Sequence, residues 1–173
     1  MTHHLILGGA RSGKSRFAEK CALALSNKPI YLATGTAQDT EMQNRISRHQ
    51  TDRASSQKNW ALIEEPLDIA RSIESPSQQS VILIDCLTMW LSNCLSLESG
   101  WDIWQTNKEA FLETIKSSHH DLIFVSNEVG MGIIPMGQLS RQFVDEIGWL
   151  HQILAQHCDQ VSHVIAGLPQ KLK

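Results

Sequence analysis

The sequence predicts an α/β fold, a three-layer domain in which helices cover both faces of a mainly parallel central sheet. Short apolar runs recur along the 173 residues, and most are continuously apolar, as in strands that are buried on both faces. Segments with helical periodicity separate these runs, and strand–helix alternation is typical of parallel sheets. The length fits one domain with its own core, which we expect to span residues 1–173.

The elements follow in chain order. Strands are predicted at residues 5–7, 30–33, 81–84, 122–126 and 161–166. Helices are predicted at about residues 14–26, 40–53, 101–116 and 137–157. The last helix has the clearest pattern, because apolar residues recur at spacings of three and four and predict one buried stripe: Leu139, Phe143, Ile147, Leu150 and Leu154.

The composition excludes several classes of function. Fifteen lysines and arginines stand against 18 aspartates and glutamates, so the net charge of −3 predicts no nucleic-acid partner and no general attraction to an anionic membrane. The apolar runs are far shorter than a membrane span. The four cysteines lie far apart without a C-x-x-C pair, so we expect reduced thiols and a cytoplasmic location.

Residues 8–15 read GGARSGKS and satisfy the pattern G-x-x-x-x-G-K-[ST] between a predicted strand and a predicted helix. The glycines allow backbone N–H groups to point at phosphate oxygens, and the helix N-terminus adds a positive dipole end. Lys14 would reach the β- and γ-phosphates, and the Ser15 hydroxyl would bind Mg²⁺. These features predict a P-loop NTPase domain of the RecA-like type that binds a nucleoside triphosphate.

A second metal ligand is expected at Asp85, which ends the apolar run VILID. A carboxylate at the end of a strand is where a P-loop protein holds the metal ion. The alternative is an ordinary aspartate that caps the following helix. The P-loop elsewhere in the chain favours the metal role.

A basic edge is predicted on the helix at residues 40–53, where Arg45, His49 and Arg53 recur every four residues. Arginines beside a bound phosphate hold the anion and disfavour protonation of the imidazole, and a neutral imidazole is a nucleophile or a base. The alternative is a solvated basic face without a catalytic role.

Two other stretches allow more than one interpretation. The segment NEVGMGIIP starts at Asn127 and Glu128 at the end of a strand, where ligands of α/β sheets bind, and we favour a role in substrate binding or in placing metal-bound water over a simple turn. The tryptophans at 90, 101 and 104 fit a core or a subunit interface better than a ligand platform.

Four motifs together resemble one known family. GGARSGKS, the segment from YLATG to His49 and Arg53, LIDCLTMWLSN and SNEVGMGIIP are similar to the bifunctional adenosylcobinamide kinase / adenosylcobinamide-phosphate guanylyltransferases of cobalamin biosynthesis. The C-terminal AGLPQKLK fits as well, so the resemblance covers nearly the whole chain.

The resemblance implies two reactions. The γ-phosphate of ATP or GTP moves to the hydroxyl of adenosylcobinamide, and GMP from GTP then moves to the new phosphate through a covalent intermediate on His49, giving adenosylcobinamide-GDP and pyrophosphate. It implies a homo-oligomer, a homotrimer, with Mg²⁺ at Ser15 and Asp85. The nucleotide contacts that it implies are Gly8, Gly9, Ala10, Arg11, Ser12, Gly13, Lys14, Ser15, Ala33, Thr34, Gly35, Gln50, Thr51, Asp52, Arg53, Glu64 and Asp85.

Two rival functions remain open from the residues. One is a P-loop small-molecule kinase in which His49 only contacts phosphate. The other is a nucleotide-dependent switch or partner-binding ATPase without a small-molecule acceptor. Which of Arg45 and Arg53 would hold the α-phosphate also stays open.

Overall fold

The computed structural model describes residues 1–36 and 59–173 and contains a seven-stranded sheet with the order β3-β2-β4-β5-β1-β6-β7. The strands are β1 (His3–Gly8), β2 (Ile30–Ala33), β3 (Ala61–Glu64), β4 (Val81–Asp85), β5 (Asp121–Asn127), β6 (Gln160–Ile165) and β7 (Leu168–Lys171). The helices are α1 (Lys14–Leu25), α2 (Ile69–Glu74), α3 (Leu87–Leu95), α4 (Gly100–Ser117) and α5 (Gln138–His157).

The predicted α/β class is confirmed, because every strand pairing is parallel except that between β6 and β7. The five predicted strands correspond to β1, β2, β4, β5 and β6, and three of the predicted helices correspond to α1, α4 and α5. The predicted helix at residues 40–53 lies outside the described residues. Strands β3 and β7 and helices α2 and α3 were not predicted.

Two apolar cores lie on opposite faces of the sheet and give the three layers. Helix α1 packs Ala18 and Ala22 on one face against β4, β5 and β6. Helices α2 to α5 cover the other face, where Trp90 and Trp104 are fully buried with ring centroids 4.8 Å apart. Trp101 is partly buried against the same core. The prediction that Trp90 and Trp104 belong to the core is therefore confirmed.

Helix α5 corrects one detail of the predicted stripe. Ile147, Leu150 and Leu154 are buried and Phe143 packs against the core, but Leu139 is exposed. The first five residues of α5 are all exposed, so its first turn packs against little of the described chain. Periodicity alone does not show where a helix leaves the core that it covers.

No helix in the described ranges combines the length and the apolar character that crossing a membrane requires. All four cysteines are unpaired, and three of them are buried.

Candidate active site

The turn between β1 and α1, residues 8–15, forms a cradle whose backbone requires glycine at Gly8 and Gly13. Gly13 has φ 94°, in the left-handed region that favours glycine, and Arg11 has φ 58°. A Cβ atom on Gly8 would lie 2.5 Å from the Ser12 Oγ and 2.7 Å from the carbonyl oxygen of Val164. The predicted strand–turn–helix arrangement is thus present, and we call residues 8–15 the phosphate cradle.

The turn between β6 and β7 contacts the phosphate cradle and supports its backbone. The Gly167 N–H donates a hydrogen bond of 2.7 Å to the Ser12 carbonyl oxygen. The Gly167 Cα would lie only 3.1 Å from a Cβ on Gly13, and Gly167 itself has φ 82°, so glycine is favoured at both positions. Sequence reasoning missed this support, although a glycine directly after an apolar strand is a turn signal.

Lys14 is the buried cation of the cradle. Its Nζ donates to the Gly9 carbonyl oxygen at 3.1 Å, and its side chain is almost entirely shielded from solvent. Burial lowers the pKa of Lys14, and the nearby Asp85 carboxylate opposes part of that shift. A buried ammonium with one neutral acceptor is costly, and a bound anion would remove that cost.

Two hydroxyl groups, those of Ser12 and Ser15, belong to the cradle. The Ser12 Oγ is buried and has no hydrogen-bond partner among residues 1–36 and 59–173, which is unusual for a buried polar atom. Ser15 follows Lys14 in the first turn of α1, where backbone N–H groups and the helix dipole favour negative charge. The cradle therefore has the shape and the donors that phosphate oxygens require.

Asp85 ends β4 at the carboxyl edge of the sheet, two strands from β1. The Tyr31 hydroxyl donates to Asp85 Oδ2 at 2.9 Å and fixes the carboxylate. Carboxylate and hydroxyl oxygens are the hard ligands that Mg²⁺ prefers, so Asp85 and Ser15 fit the predicted metal. Within the described ranges, no cluster of three histidine, cysteine or acidic side chains could hold a metal ion by itself.

Thr34 links the ends of two strands. Its Oγ1 donates to the Cys86 carbonyl oxygen and accepts from the Cys86 N–H, both at 2.8 Å, and its N–H donates to the Asp85 carbonyl oxygen. Its own carbonyl oxygen accepts from Asn93 at 2.7 Å. The buried Thr34 side chain is thus engaged with the protein, and it fixes Asp85 relative to β2.

Glu64 lies away from the cradle. It is exposed at the end of β3, in the same register row as Ala33 and Asp85. Three strands separate β3 from β1, so Glu64 and Gly8 are on the order of 19 Å apart across the sheet. Glu64 and the cradle therefore lie far apart along the same edge of the sheet.

Asn127 is the last residue of β5 and Glu128 follows it; β5 lies between the cradle strand β1 and the Asp85 strand β4. The Glu128 N–H donates to the Gly8 carbonyl oxygen at 3.0 Å, and Asn127 Nδ2 donates to Thr88 Oγ1 at 2.9 Å. Glu128 Oε1 accepts from the Gly130 N–H at 2.6 Å. These residues therefore link the cradle, through the end of β5, to the start of helix α3.

A buried histidine behind Glu128 was not anticipated from the sequence. His151 Nε2 and Ser126 Oγ are 2.7 Å apart, and His151 Nδ1 is 4.0 Å from Glu128 Oε2. Burial lowers the pKa of His151 to about 4, against the opposing influence of Glu128. The ring is therefore neutral at physiological pH.

The predicted residues of the basic edge, His49, Arg45 and Arg53, lie outside the described residues, as do Gln50, Thr51 and Asp52. The described part of the site therefore joins the cradle, Lys14, Ser15 and Asp85 at one edge of the sheet. That arrangement has the residue types that P-loop proteins use to hold a nucleoside triphosphate.

Comparison with known proteins identifies the family. A family model described as cobinamide kinase / cobinamide phosphate guanyltransferase matches residues 4–172. The chain is 45% identical over 170 residues to the bifunctional adenosylcobalamin biosynthesis protein CobP of Pseudomonas aeruginosa. This alignment covers 98% of this chain and 96% of that protein. It is 33% identical over 183 residues to the bifunctional adenosylcobalamin biosynthesis protein CobU of Escherichia coli K12, which covers 98% of each.

A solved structure of a Pyrococcus horikoshii OT3 protein is similar in fold alone, with a TM-score of 0.55 and 7% identity over 99% of this chain and 86% of that one. The full-length relatives and the motif geometry agree. The chain belongs to the cobinamide kinase / cobinamide phosphate guanyltransferase family.

Proposed function

We propose that the chain carries out both reactions of its family on adenosylcobinamide: phosphorylation with ATP or GTP, followed by transfer of GMP from GTP to the new phosphate. The observation that carries this proposal is the buried Lys14 in the glycine cradle, with Asp85 close enough to influence its pKa. Such a site is built for a metal–triphosphate, and the family membership supplies the acceptor.

In the kinase step, the acceptor hydroxyl attacks the γ-phosphorus and gives up its proton to water, while the bond to the β–γ bridging oxygen breaks and the nucleoside diphosphate leaves. Lys14 and the backbone N–H groups of the cradle stabilise the charge that moves to the oxygens. Ser15 and Asp85 would hold Mg²⁺, which supplies charge neutralisation between the phosphates. Tyr31 keeps the Asp85 carboxylate oriented for that role.

In the transfer step, we propose that His49 attacks the α-phosphorus of GTP, so that a P–N bond forms and pyrophosphate leaves. The acceptor phosphate then displaces the imidazole and receives GMP. Direct attack by an anionic phosphate on an anionic triphosphate is opposed by charge repulsion, and a neutral imidazole avoids it. Arg45 or Arg53 would hold the α-phosphate.

The other implied contacts fit the remainder of the nucleotide. We propose that Ala33, Gly35 and Glu64 contact the nucleoside end of GTP with residues 50–53, because β2 and β3 lie on the far side of Asp85 from the cradle. Thr34 would act by positioning, since its side chain bonds Cys86. We further propose that the protein is a homotrimer, and sedimentation equilibrium would measure its mass. We also propose that it is cytoplasmic, because its four unpaired cysteines fit a reducing compartment.

The decisive experiment replaces the proposed nucleophile. His49→Ala should abolish labelling of the protein by α-labelled GTP and abolish GMP transfer, while phosphorylation of adenosylcobinamide remains measurable because that step needs no imidazole. The wild-type label should survive base and be lost in acid, as expected of a phosphoramidate. Acid-labile label on the His49→Ala protein would contradict the assignment, and an unlabelled wild-type protein that phosphorylates adenosylcobinamide would favour the kinase alone.

A further inference from the structure

Apolar side chains are exposed at unusual density just beyond β5. Of the fourteen exposed large apolar side chains in the described ranges, six fall within residues 129–139, which we call the apolar segment. Ile133 and Met136 are 98% and 97% exposed. Scattered exposed apolar residues are ordinary, but a contiguous group of this kind is typical of a binding surface. The six are Val129, Met131, Ile133, Ile134, Met136 and Leu139.

The apolar segment is anchored at both ends. At its start, the Gly130 N–H bonds Glu128 Oε1 at 2.6 Å. Near its end, the Arg141 guanidinium donates to the carbonyl oxygens of Pro135 and Met136. A surface cavity of about 230 Å³ lies between the segment and the first turns of α5, where Arg141 and Asp145 supply charged groups. The surface therefore combines apolar side chains with a small polar recess.

The position of the segment links it to the phosphate cradle. Glu128 immediately precedes the segment, and its N–H bonds the carbonyl oxygen of Gly8, the first cradle residue. Strand β5 itself lies between β1 and β4, which carry the cradle and Asp85. A ligand on the apolar segment would thus lie beside the phosphate-binding residues.

We propose that the apolar segment binds the corrin ring of the acceptor, an inference that rests on the proposed function and adds a site to it. The acceptor is a large ring with apolar faces, an amide-rich rim and one flexible arm that bears the reacting hydroxyl. It needs an apolar surface for the ring directly beside the site that receives the arm. Methionine side chains adapt to irregular apolar ligands, and Arg141 and Asp145 can pair with amide groups.

The test compares variants that alter this surface alone. Ile133→Ser and Met136→Ser remove side chains that are almost fully exposed, so the melting temperature should not change. Each should weaken binding of adenosylcobinamide about tenfold in equilibrium dialysis, the effect of losing roughly two buried methylene groups. The KM for ATP should stay constant. Leu25→Ser, an exposed apolar residue at the end of α1, is the matched control and should change nothing.

A truncated acceptor separates the ring from the arm. Free 1-amino-2-propanol carries the hydroxyl without the ring, so the two variants should leave its kcat/KM unchanged while they lower that of adenosylcobinamide. Unchanged corrinoid binding in both variants would overturn the inference. So would a change in sedimentation mass without a change in corrinoid affinity, which would make this face a contact between copies. A wild-type protein that does not phosphorylate adenosylcobinamide would instead refute the proposed function.

Discussion

Lys14 meets two opposing demands with a single side chain. The cradle needs a cation at the triphosphate, but without nucleotide the ammonium is buried beside one carbonyl oxygen. Burial lowers the pKa of Lys14, which means that the folded protein holds this charge less readily than the unfolded chain does. The residue is therefore placed for function at a cost in stability.

Lys14→Met should abolish most of the activity and should also remove the stability cost of the buried ammonium. We expect both reactions to slow by a factor on the order of 10² or more, because the charge that stabilises the moving phosphate is gone. The nucleotide-free variant should melt at a higher temperature than the wild type, since a buried charge is replaced by an apolar chain of similar length. Lys20→Met, on the exposed face of the same helix, is the control for both measurements. A variant with lower stability would show that the ammonium supports the folded cradle.

His151 should make stability depend on pH. Its folded pKa of about 4 lies below the ordinary value of 6.5, so the unfolded chain takes up the proton first as the pH falls. The free energy of unfolding should therefore fall between pH 6.5 and 4, by up to about 3 kcal/mol from this group. His151→Gln should flatten that part of the profile in urea titrations, whereas His157→Gln, exposed on the same helix, should not. Equal slopes in all three proteins would refute this role.

Helices α4 and α5 are joined by a partly buried polar contact. Glu146 Oε2 accepts from Trp104 Nε1 at 2.8 Å and from Lys108 Nζ at 3.0 Å. Burial would raise the pKa of Glu146, but the hydrogen bonds from Trp104 and Lys108 outweigh it and lower the pKa. The stabilisation is thus complete at neutral pH and is lost as the pH falls through the lowered pKa.

Glu146→Leu should lower the free energy of unfolding by roughly 2–4 kcal/mol, because it leaves the Trp104 N–H and the shielded Lys108 ammonium without an acceptor. Glu113→Leu breaks the exposed ion pair of Glu113 with Lys116 on the same helix and should cost less than about 1 kcal/mol. Chemical denaturation at pH 7 measures both. Similar losses in the two variants would mean that the contact between α4 and α5 has no special role.

Across the sheet, the interior strands could be predicted from the sequence, whereas the strands at the two edges could not. The strands that are buried on both faces could be predicted because they are apolar runs. The strand–turn–helix of the cradle could be predicted from the spacing of its glycines. Strand β7 (LPQK) is exposed throughout and contains a proline, and β3 is a four-residue edge strand, so neither has a local pattern to recognise. Helix α3 has only nine residues, six of them buried, and so short an apolar segment cannot be told from a buried strand by its pattern.

The residues of the candidate site also fall into those that the sequence predicts and those that it does not. Lys14, Ser15 and Asp85 follow from motifs whose chemistry requires them at fixed positions. The support that Gly167 gives to Ser12 and the pairing of His151 with Ser126 join residues far apart in the chain, and no local pattern encodes such contacts. The structural role of Thr34 was likewise hidden, because a strand-end threonine looks the same whether it faces a nucleotide or a neighbouring strand.

The central place of β1 has a consequence for the order in which the protein is made. This strand is synthesised before its two neighbours, β5 and β6, which follow more than a hundred residues later. Until they leave the ribosome, the apolar run of β1 has no partner strand, and neither Glu128 nor Gly167 is present to hold the loop that follows it. A nascent chain stalled at residue 115 should therefore not retain GTP on a filter, whereas the released full chain should. Nucleotide binding can therefore stabilise the completed fold but cannot stabilise the early stages of folding.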